Sequence, residues 1–190
     1  MNILGIDPDT KTTGLGVVVS GRPVHGKLVC VPKRTAKWEV RRPLMVRALN
    51  EAMSELRFKT PDAERIDIIV VESQFIYPPK GASKGTLRPN DILHLAQIAG
   101  AALAAAMEAY PTASVLVPTP KEWKGSTKKE AFTDALLKKL GLTPTARGLE
   151  FTGSPQKVRL PGTTSLSPKD ATHVIDALGL ARWAHMRTPR

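Results

Sequence analysis

Three acidic residues and one histidine stand at positions where they could share a site. Asp7 ends a short apolar run near the start of the chain, and Glu72 ends a second apolar run in the middle. His173 and Asp176 lie three residues apart in a helix-periodic stretch, so they share one helix face. Such a cluster would repel itself without a cation, and its oxygen-rich donors suit Mg²⁺ or Mn²⁺. Two such ions can hydrolyse a phosphodiester.

Each of these residues also has a purely structural interpretation. Asp7 and Asp9 could cap a hairpin turn, since Asp is common in turns. Glu72 could be a solvated carboxylate at a strand end, and His173 a half-buried histidine with satisfied hydrogen bonds. Asp170 lies at capping-box spacing from Ser167, which favours a structural role. Asp176 differs, because an unpaired charge among its apolar neighbours would be costly.

The composition favours a polyanionic partner. The chain has 28 Lys plus Arg against 17 Asp plus Glu, a net charge of +11. Nucleic acid is the first partner that this charge suggests, and an anionic membrane surface the second. A single cysteine, Cys30, allows neither an internal disulfide nor a cysteine zinc site. With no secretory signal evident and an apolar run at 98–107 too short to span a bilayer, we expect a soluble cytoplasmic protein.

The element pattern predicts an α/β fold in one domain, residues 1–190. Three strands joined by short turns suggest an antiparallel meander, and alternating helices and strands then give a mixed sheet with helices on its faces. Pro43 suits the first turn of the first helix. Mobile loops are expected near 78–89 and 142–166, the second with a small hairpin around 151–160. The predicted strands are 3–6, 15–19, 24–31, 66–71 and 114–117, and the predicted helices 43–57, 90–110, 127–141 and 167–186, with a turn-rich segment at 118–125.

Five motifs in order then resemble one family. They are ILGIDPDTKTTGLGV, VVESQF, LHLAQIAG, PKEWKG and HVIDALGLA, and they extend from residue 3 to about residue 184. Together they resemble RuvC-type Holliday-junction resolvases, which have the RNase H-like nuclease fold, and the compact form looks like a phage member. The resemblance implies a five-stranded mixed sheet, with three antiparallel strands and then parallel ones, and a homodimer that cuts two opposed strands of a four-way DNA junction with Mg²⁺ or Mn²⁺.

The resemblance assigns the metal ligands by position. Asp7, Glu72 and Asp176 match metal-binding carboxylates, so two ions per site are expected. His173 stands where many members have Asp and some bacterial members have His. It removes one negative charge from the site. Asp9 stands where the family usually has Gly.

The resemblance also assigns DNA-contacting residues. Phe75 matches an aromatic residue that wedges into the junction, although an ordinary core phenylalanine would fit the same position. Lys124 matches a lysine implied in catalysis, where it contacts the scissile phosphate or stabilises developing charge. A second family lysine falls on Lys128 or Lys129.

A junction-resolving endonuclease is therefore the leading hypothesis. A nuclease of the same fold acting on broader branched DNA or RNA hybrids, and a non-catalytic DNA-binding member, stay open. A nucleotide-binding phosphotransferase shares the strand-Asp-turn-Gly opening, but it needs a second lobe for which 190 residues leave no room. No nucleotide cofactor is therefore expected. The Ala-rich helix at 90–110 is the candidate dimer interface.

Overall fold

A five-stranded mixed sheet forms the centre of the molecule. The computed structural model describes residues 1–31, 37–73, 89–127, 129–146, 148–152, 159–164 and 166–188. The strand order is β3-β2-β1-β4-β5, with β1 in the middle. The strands are β1 (Asn2–Asp7), β2 (Thr12–Val19), β3 (Arg22–Cys30), β4 (Ile68–Val71) and β5 (Ser114–Leu116).

Strand direction brings four carboxyl ends to one edge of this sheet. The first three strands form the predicted antiparallel meander, while β4 pairs parallel with β1 and β5 parallel with β4. β1, β3, β4 and β5 therefore run the same way. Ile6 pairs with Val71, so the residues that follow each of them, Asp7 and Glu72, are neighbours at this edge.

Helices cover both faces of the sheet. On one face lie α1 (Trp38–Lys59) and α2 (Pro89–Ala109), and a short 3-10 turn, Pro61–Ala63, follows α1. On the other lies α5 (Pro168–Arg187), with α3 (Pro120–Lys124) and α4 (Lys129–Leu140) packed beside it. Because side chains alternate along a strand, the sheet fills two separate apolar clusters, one under each helical layer.

The α5 face of the sheet is lined with glycines. A Cβ at Gly5 would lie 1.9 Å from the carbonyl oxygen of Ala177, and one at Gly14 would lie 2.0 Å from that of His173. A Cβ at Gly16 would meet the backbone of α5 at 2.6 Å. The missing side chains let the α5 backbone lie directly against β1 and β2.

The first helix begins earlier than its proline predicts. Pro43 lies inside α1 instead of in its first turn, where its missing N–H removes one backbone hydrogen bond. The helix extends back to Trp38, whose ring stacks on that of His94 of α2 with centroids 4.0 Å apart. This packing between the two helices outweighs the local preference of the proline.

One prediction in the second half of the chain was wrong, and another lies partly outside the described residues. The turn-rich segment 118–125 contains the helix α3. A hairpin of β6 (Leu142–Thr145) and β7 (Gly148–Phe151) lies within the predicted loop. Residues 153–158 of the hairpin predicted at 151–160 lie outside the described residues. On either side of them, Glu150 forms an antiparallel bridge with Arg159, and the Leu160 N–H donates to the Leu149 carbonyl at 2.7 Å. Leu142 and Leu149 are buried beside Leu160 in the α5-side cluster, and these contacts between distant residues fix the hairpin.

The helix α2 is about twice as long as the apolar run at 98–107 that it contains. In the described part of the chain, Asn90–Ala109 is the one helical stretch long and apolar enough to cross a bilayer, by length and composition alone. Only 22% of this stretch is buried, so much of its apolar surface faces outward.

Gly14→Ala should lower the free energy of unfolding by about 2–3 kcal/mol or more, because the new methyl group must displace the α5 backbone. Gly100→Ala is the matched control. A Cβ there meets nothing within 4 Å, so the better helix former should raise stability by about 0.5–1 kcal/mol. Urea denaturation measures both values, and equal effects of the two substitutions would contradict the close approach.

Candidate active site

The structure brings the predicted acidic residues together at the carboxyl edge of the sheet. Asp7 ends β1 and Glu72 directly follows β4, and strand alternation turns both towards α5. Asp7, Glu72 and Asp176 are 8%, 7% and 5% exposed. They are the buried acidic residues of the described part of the chain. Removing three carboxylates from water is costly, so their convergence requires compensating charge.

His173 supplies part of that charge at Asp7. Its Nδ1 lies 2.8 Å from Oδ2 of Asp7. This hydrogen bond raises the pKa of His173 above its usual value, and the negative charge of Asp7 adds to the effect against the cost of burial. In its protonated form His173 donates to Asp7 and pairs with it ionically.

Lys124 supplies charge to the other two carboxylates. Its Nζ donates to Oε2 of Glu72 at 3.3 Å and to Oδ2 of Asp176 at 3.2 Å. Burial alone would lower the pKa of Lys124, but the surrounding carboxylates outweigh it and raise that pKa. The ammonium group also lies 4.4 Å from the centroid of the Trp123 ring, within the range of a cation–π contact.

Glu72 is the carboxyl group most affected by this crowding. Burial raises its pKa to about 7, and Asp7 adds to the rise through its charge and a shared hydrogen bond, against the opposing charge of Lys124. A carboxyl group with such a pKa exchanges its proton near neutral pH.

The helix α3 positions Lys124. Thr119 caps it by accepting a hydrogen bond from the backbone N–H of Glu122 at 3.3 Å, and the Glu122 carboxylate accepts one from the Thr119 N–H at 2.6 Å. Gly125 ends the helix with φ at +69°, a conformation that favours glycine. Trp123, 7% exposed, anchors the helix in the core.

The sequence carried a signal for this helix. Thr119-Pro120-Lys-Glu122 has the same order of cap, proline and acidic N3 residue as Ser167-Pro-Lys-Asp170, which correctly predicted the start of α5. The structural role predicted for Asp170 is confirmed, because its N–H donates to Ser167 Oγ at 3.2 Å and its carboxylate accepts from that hydroxyl at 2.7 Å.

The side chains of the cluster are chemically suited to a hard divalent cation, but their present positions do not form a complete metal site. Three carboxylates and an imidazole are suitable ligands for Mg²⁺ or Mn²⁺. Among the described residues, however, no three His, Cys, Asp or Glu side chains are grouped closely enough to hold an ion. Lys124 stands between Glu72 and Asp176. A metal bound by both carboxylates would have to displace its ammonium group.

The remaining predicted residues are distributed differently. Phe75 and Lys128 lie outside the described residues, and of Lys129 the structure describes only the backbone, which begins α4. Asp9 is a turn residue, as the structural interpretation expected, because its Oδ1 accepts a hydrogen bond from the Lys11 N–H at 2.8 Å. Its negative charge also helps to raise the pKa of His173, after the larger effects of Asp7.

Several solved structures share this fold, among them two of RuvC. The structure of Thermus thermophilus RuvC in complex with a Holliday junction substrate matches with a TM-score of 0.62 and 22% sequence identity, over 99% of this chain and 97% of that one. A second T. thermophilus RuvC structure matches with a TM-score of 0.59 and 22% identity, over 97% and 94% of the chains. The predicted RNase H-like fold is thereby confirmed. No protein-family model and no curated protein matches the chain.

Lys124→Met should destabilise the metal-free protein by about 1–3 kcal/mol, since it leaves two buried carboxylates without their counter-charge. The same substitution should enlarge the rise in Tm that MgCl₂ or MnCl₂ produces, because the ammonium group no longer competes with the ion. Thermal unfolding with EDTA and with each metal measures both effects.

Lys121→Met is the control for this substitution, since Lys121 is an exposed lysine on the same helix. It should leave both the stability and the metal-induced rise in Tm near the values of the unsubstituted protein. A smaller metal response in Lys124→Met than in Lys121→Met would contradict the competition.

Glu72→Gln should flatten the pH dependence of stability between pH 5 and 8 in EDTA. Because the pKa of Glu72 is about 7 in the folded chain against 4.5 in the unfolded chain, the folded state holds a proton that the unfolded state has lost. The free energy of unfolding therefore falls as pH rises through that window, by about 2–3 kcal/mol for this group. The raised pKa of His173 adds a slope of the same sign, which Glu72→Gln leaves in place.

Glu122→Gln provides the comparison. The pKa of Glu122 is lowered by its hydrogen bonds to Thr119, so it titrates below this window. Chemical denaturation at several pH values should therefore give Glu122→Gln the slope of the unsubstituted protein. An equally steep slope in Glu72→Gln would show that Glu72 is ionised throughout the range.

Proposed function

We propose that this chain is a RuvC-type resolvase, a metal-dependent endonuclease that resolves four-way DNA junctions by cutting two opposed strands. One observation supports this most strongly. The buried acidic residues of the described chain, Asp7, Glu72 and Asp176, converge at one edge of a sheet whose fold is that of RuvC structures. A protein with only a structural use for carboxylates has no reason to bury three of them together.

The four residues of the cluster would hold the metal. Asp7, Glu72 and Asp176 offer carboxylate oxygens, and His173 offers an imidazole nitrogen once it gives up its proton. Mg²⁺ or Mn²⁺ bound there would lower the pKa of a water molecule and neutralise charge on the phosphate, with two ions expected per site.

Lys124 would act on the phosphate directly. Displaced from Glu72 and Asp176, its ammonium group remains tethered by α3 beside the cluster. There it can contact the scissile phosphate and stabilise the charge that develops as the bond breaks. The same side chain would thus balance the carboxylates before metal binding and the substrate afterwards.

The edge that carries the cluster suits DNA. Exposed basic side chains stand on the segments that border it: Lys11 in the β1–β2 turn and Lys121 on α3, the helix that carries Lys124. The helix α5 begins at this edge, since His173 in its second turn contacts Asp7, so the positive end of its dipole faces the same side. With the net charge of +11, this arrangement favours contacts to phosphates.

A homodimer would carry two active sites, one for each of the two opposed strands. We propose α2 as the contact between the two copies. Leu93 and Met107 are 59% and 48% exposed, and Ala96, Gly100 and Ala104 between them are exposed as well. Their spacing of three and four residues puts all five on one helix face. A second copy of α2 could pack closely against such small side chains.

Asp7→Asn should reduce cleavage of a four-way junction by more than about a hundredfold, because losing a direct metal ligand exceeds the loss typical of an outer partner. Binding of the same junction should be nearly unchanged, since contacts from Lys and Arg to phosphates dominate affinity. Asp9→Asn is the matched control and should cut at nearly the normal rate. Gel-shift and cleavage assays measure binding and cutting separately, and normal cleavage by Asp7→Asn would refute the site.

The substrate class is tested by comparing four-way, three-way, flap, linear duplex and RNA–DNA hybrid substrates with Mg²⁺ and with Mn²⁺. Preferential, paired cutting of the four-way junction is expected. Equal cutting of all branched substrates, or cutting of hybrids, would favour the broader nuclease of the same fold. Tight binding with no cutting under either metal would favour a non-catalytic DNA-binding protein.

Gly100→Arg should convert the proposed dimer into a monomer. The position is open within one chain, so the arginine should leave the fold of each chain intact while blocking the close approach of a second α2. Ala135→Arg, on the exposed face of α4, is the control. Sedimentation velocity distinguishes the species, and a dimer that persists in Gly100→Arg would exclude this interface.

A further inference from the structure

A cleft of about 470 Å³ opens beside the acidic cluster. Lys124 and Asp176 form the side that it shares with the candidate active site, and Pro120 and Phe132 contribute apolar surface. Its volume lies within the range of about 300–1,000 Å³ typical of small-ligand sites. The roles proposed above use Lys124 and Asp176 but not the rest of the lining around Phe132.

The lining combines an aromatic ring with exposed hydroxyl groups. Phe132 is half-buried, and its ring meets that of Trp123 edge-to-face, with centroids 5.2 Å apart and an interplanar angle of 80°. Ser126 and Thr127, both exposed, line the same cleft. A planar group that is apolar on its faces and polar at its rim matches these surroundings, and a nucleobase is such a group.

Trp123 couples the cleft to the catalytic lysine. One part of the indole contacts the ring of Phe132, and its face lies 4.4 Å from Nζ of Lys124. The aromatic wall and the ammonium group are therefore held by one buried side chain. A phosphate contacted by Lys124 would have its neighbouring nucleotide within reach of Phe132.

We propose that this cleft binds the base of a nucleotide flanking the scissile phosphate, with Phe132 as the stacking surface and Ser126 and Thr127 as hydrogen-bonding groups. The inference rests on the proposed nuclease function and adds a specificity site to it. Stacking on Phe132 draws the base out of its duplex neighbours and places the phosphate at Lys124. The identity of the base that fits best then sets where the enzyme prefers to cut.

The test uses junctions in which each nucleotide flanking the cut is replaced, one at a time, by an abasic residue. At the position that enters the cleft, loss of the base should slow cutting by the unsubstituted protein by about tenfold, as expected for one stacked base. Phe132→Ala should cut the intact junction with a similar loss, and the abasic residue should slow it no further. Phe132→Leu, which keeps an apolar side chain but lacks the aromatic face, should behave like Phe132→Ala.

Phe151→Ala is the control, because Phe151 is another half-buried phenylalanine packed at the edge of the same apolar cluster, on β7. It should keep the full sensitivity to the abasic residue. The inference would be overturned if the abasic residue and the Phe132 substitution slowed cutting independently, so that their effects multiplied. It would also be overturned if no abasic position slowed cutting, and in both cases the proposed nuclease function would stand.

A direct binding measurement separates this inference from the proposed function. The Asp7→Asn protein is bound to junctions that carry the fluorescent base 2-aminopurine at the flanking position. The fluorescence of this complex is compared with that of the complex formed by the double variant Asp7→Asn, Phe132→Leu. A change in emission on binding that the second substitution abolishes supports the cleft even when no cleavage is observed. Identical emission in the two complexes overturns it.

Discussion

The close contact between α5 and the sheet sets the geometry of the whole candidate site. The helix lies on Gly5, Gly14 and Gly16, where any side chain would collide with its backbone. This contact fixes the height of α5 above β1 and β2. His173 and Asp176 thereby come level with Asp7 and Glu72. If α5 were displaced by the width of one methyl group, the His173 imidazole would lose its contact with the Asp7 carboxylate, which lies 2.8 Å away.

Charge balance is the second constraint, and it follows from the first. Once α5 packs on the sheet, three carboxylates are buried close together. Two cationic side chains form ion pairs with them. His173 pairs with Asp7, while Lys124 bridges Glu72 and Asp176. His173 belongs to α5 and Lys124 to α3. These two helices therefore contribute to the site as much as the sheet does.

The sequence was most informative where structure is local. Apolar runs ending at Asp7 and Glu72 predicted both strand ends, and the spacing of His173 and Asp176 predicted their shared helix face. The five-stranded sheet and its mixed directions were also predicted correctly. The adjacency of β1 and β4, by contrast, could only be assumed, because strand pairing depends on residues far apart in the chain.

Each incorrect prediction has a physical origin. A helix of five residues is too short to show periodicity, so α3 was missed although Thr119 and Glu122 carry a capping signal. Pro43 favours a helix start, but stacking of Trp38 on His94 outweighs it. The glycines under α5 have a clear purpose only once the helix above them is known. For Pro43 and for these glycines, tertiary packing determined what local preference left open.

The hydrogen bond between His173 and Asp7 joins residues separated by 166 positions. During synthesis on the ribosome, all five strands of the sheet emerge before α5 does. The acidic cluster is therefore incomplete on a nascent chain and closes only when the last helix docks. Dependence on such distant contacts slows folding. It also means that partly folded or C-terminally truncated chains cannot assemble the acidic cluster, so the chemistry of this site is confined to the complete fold.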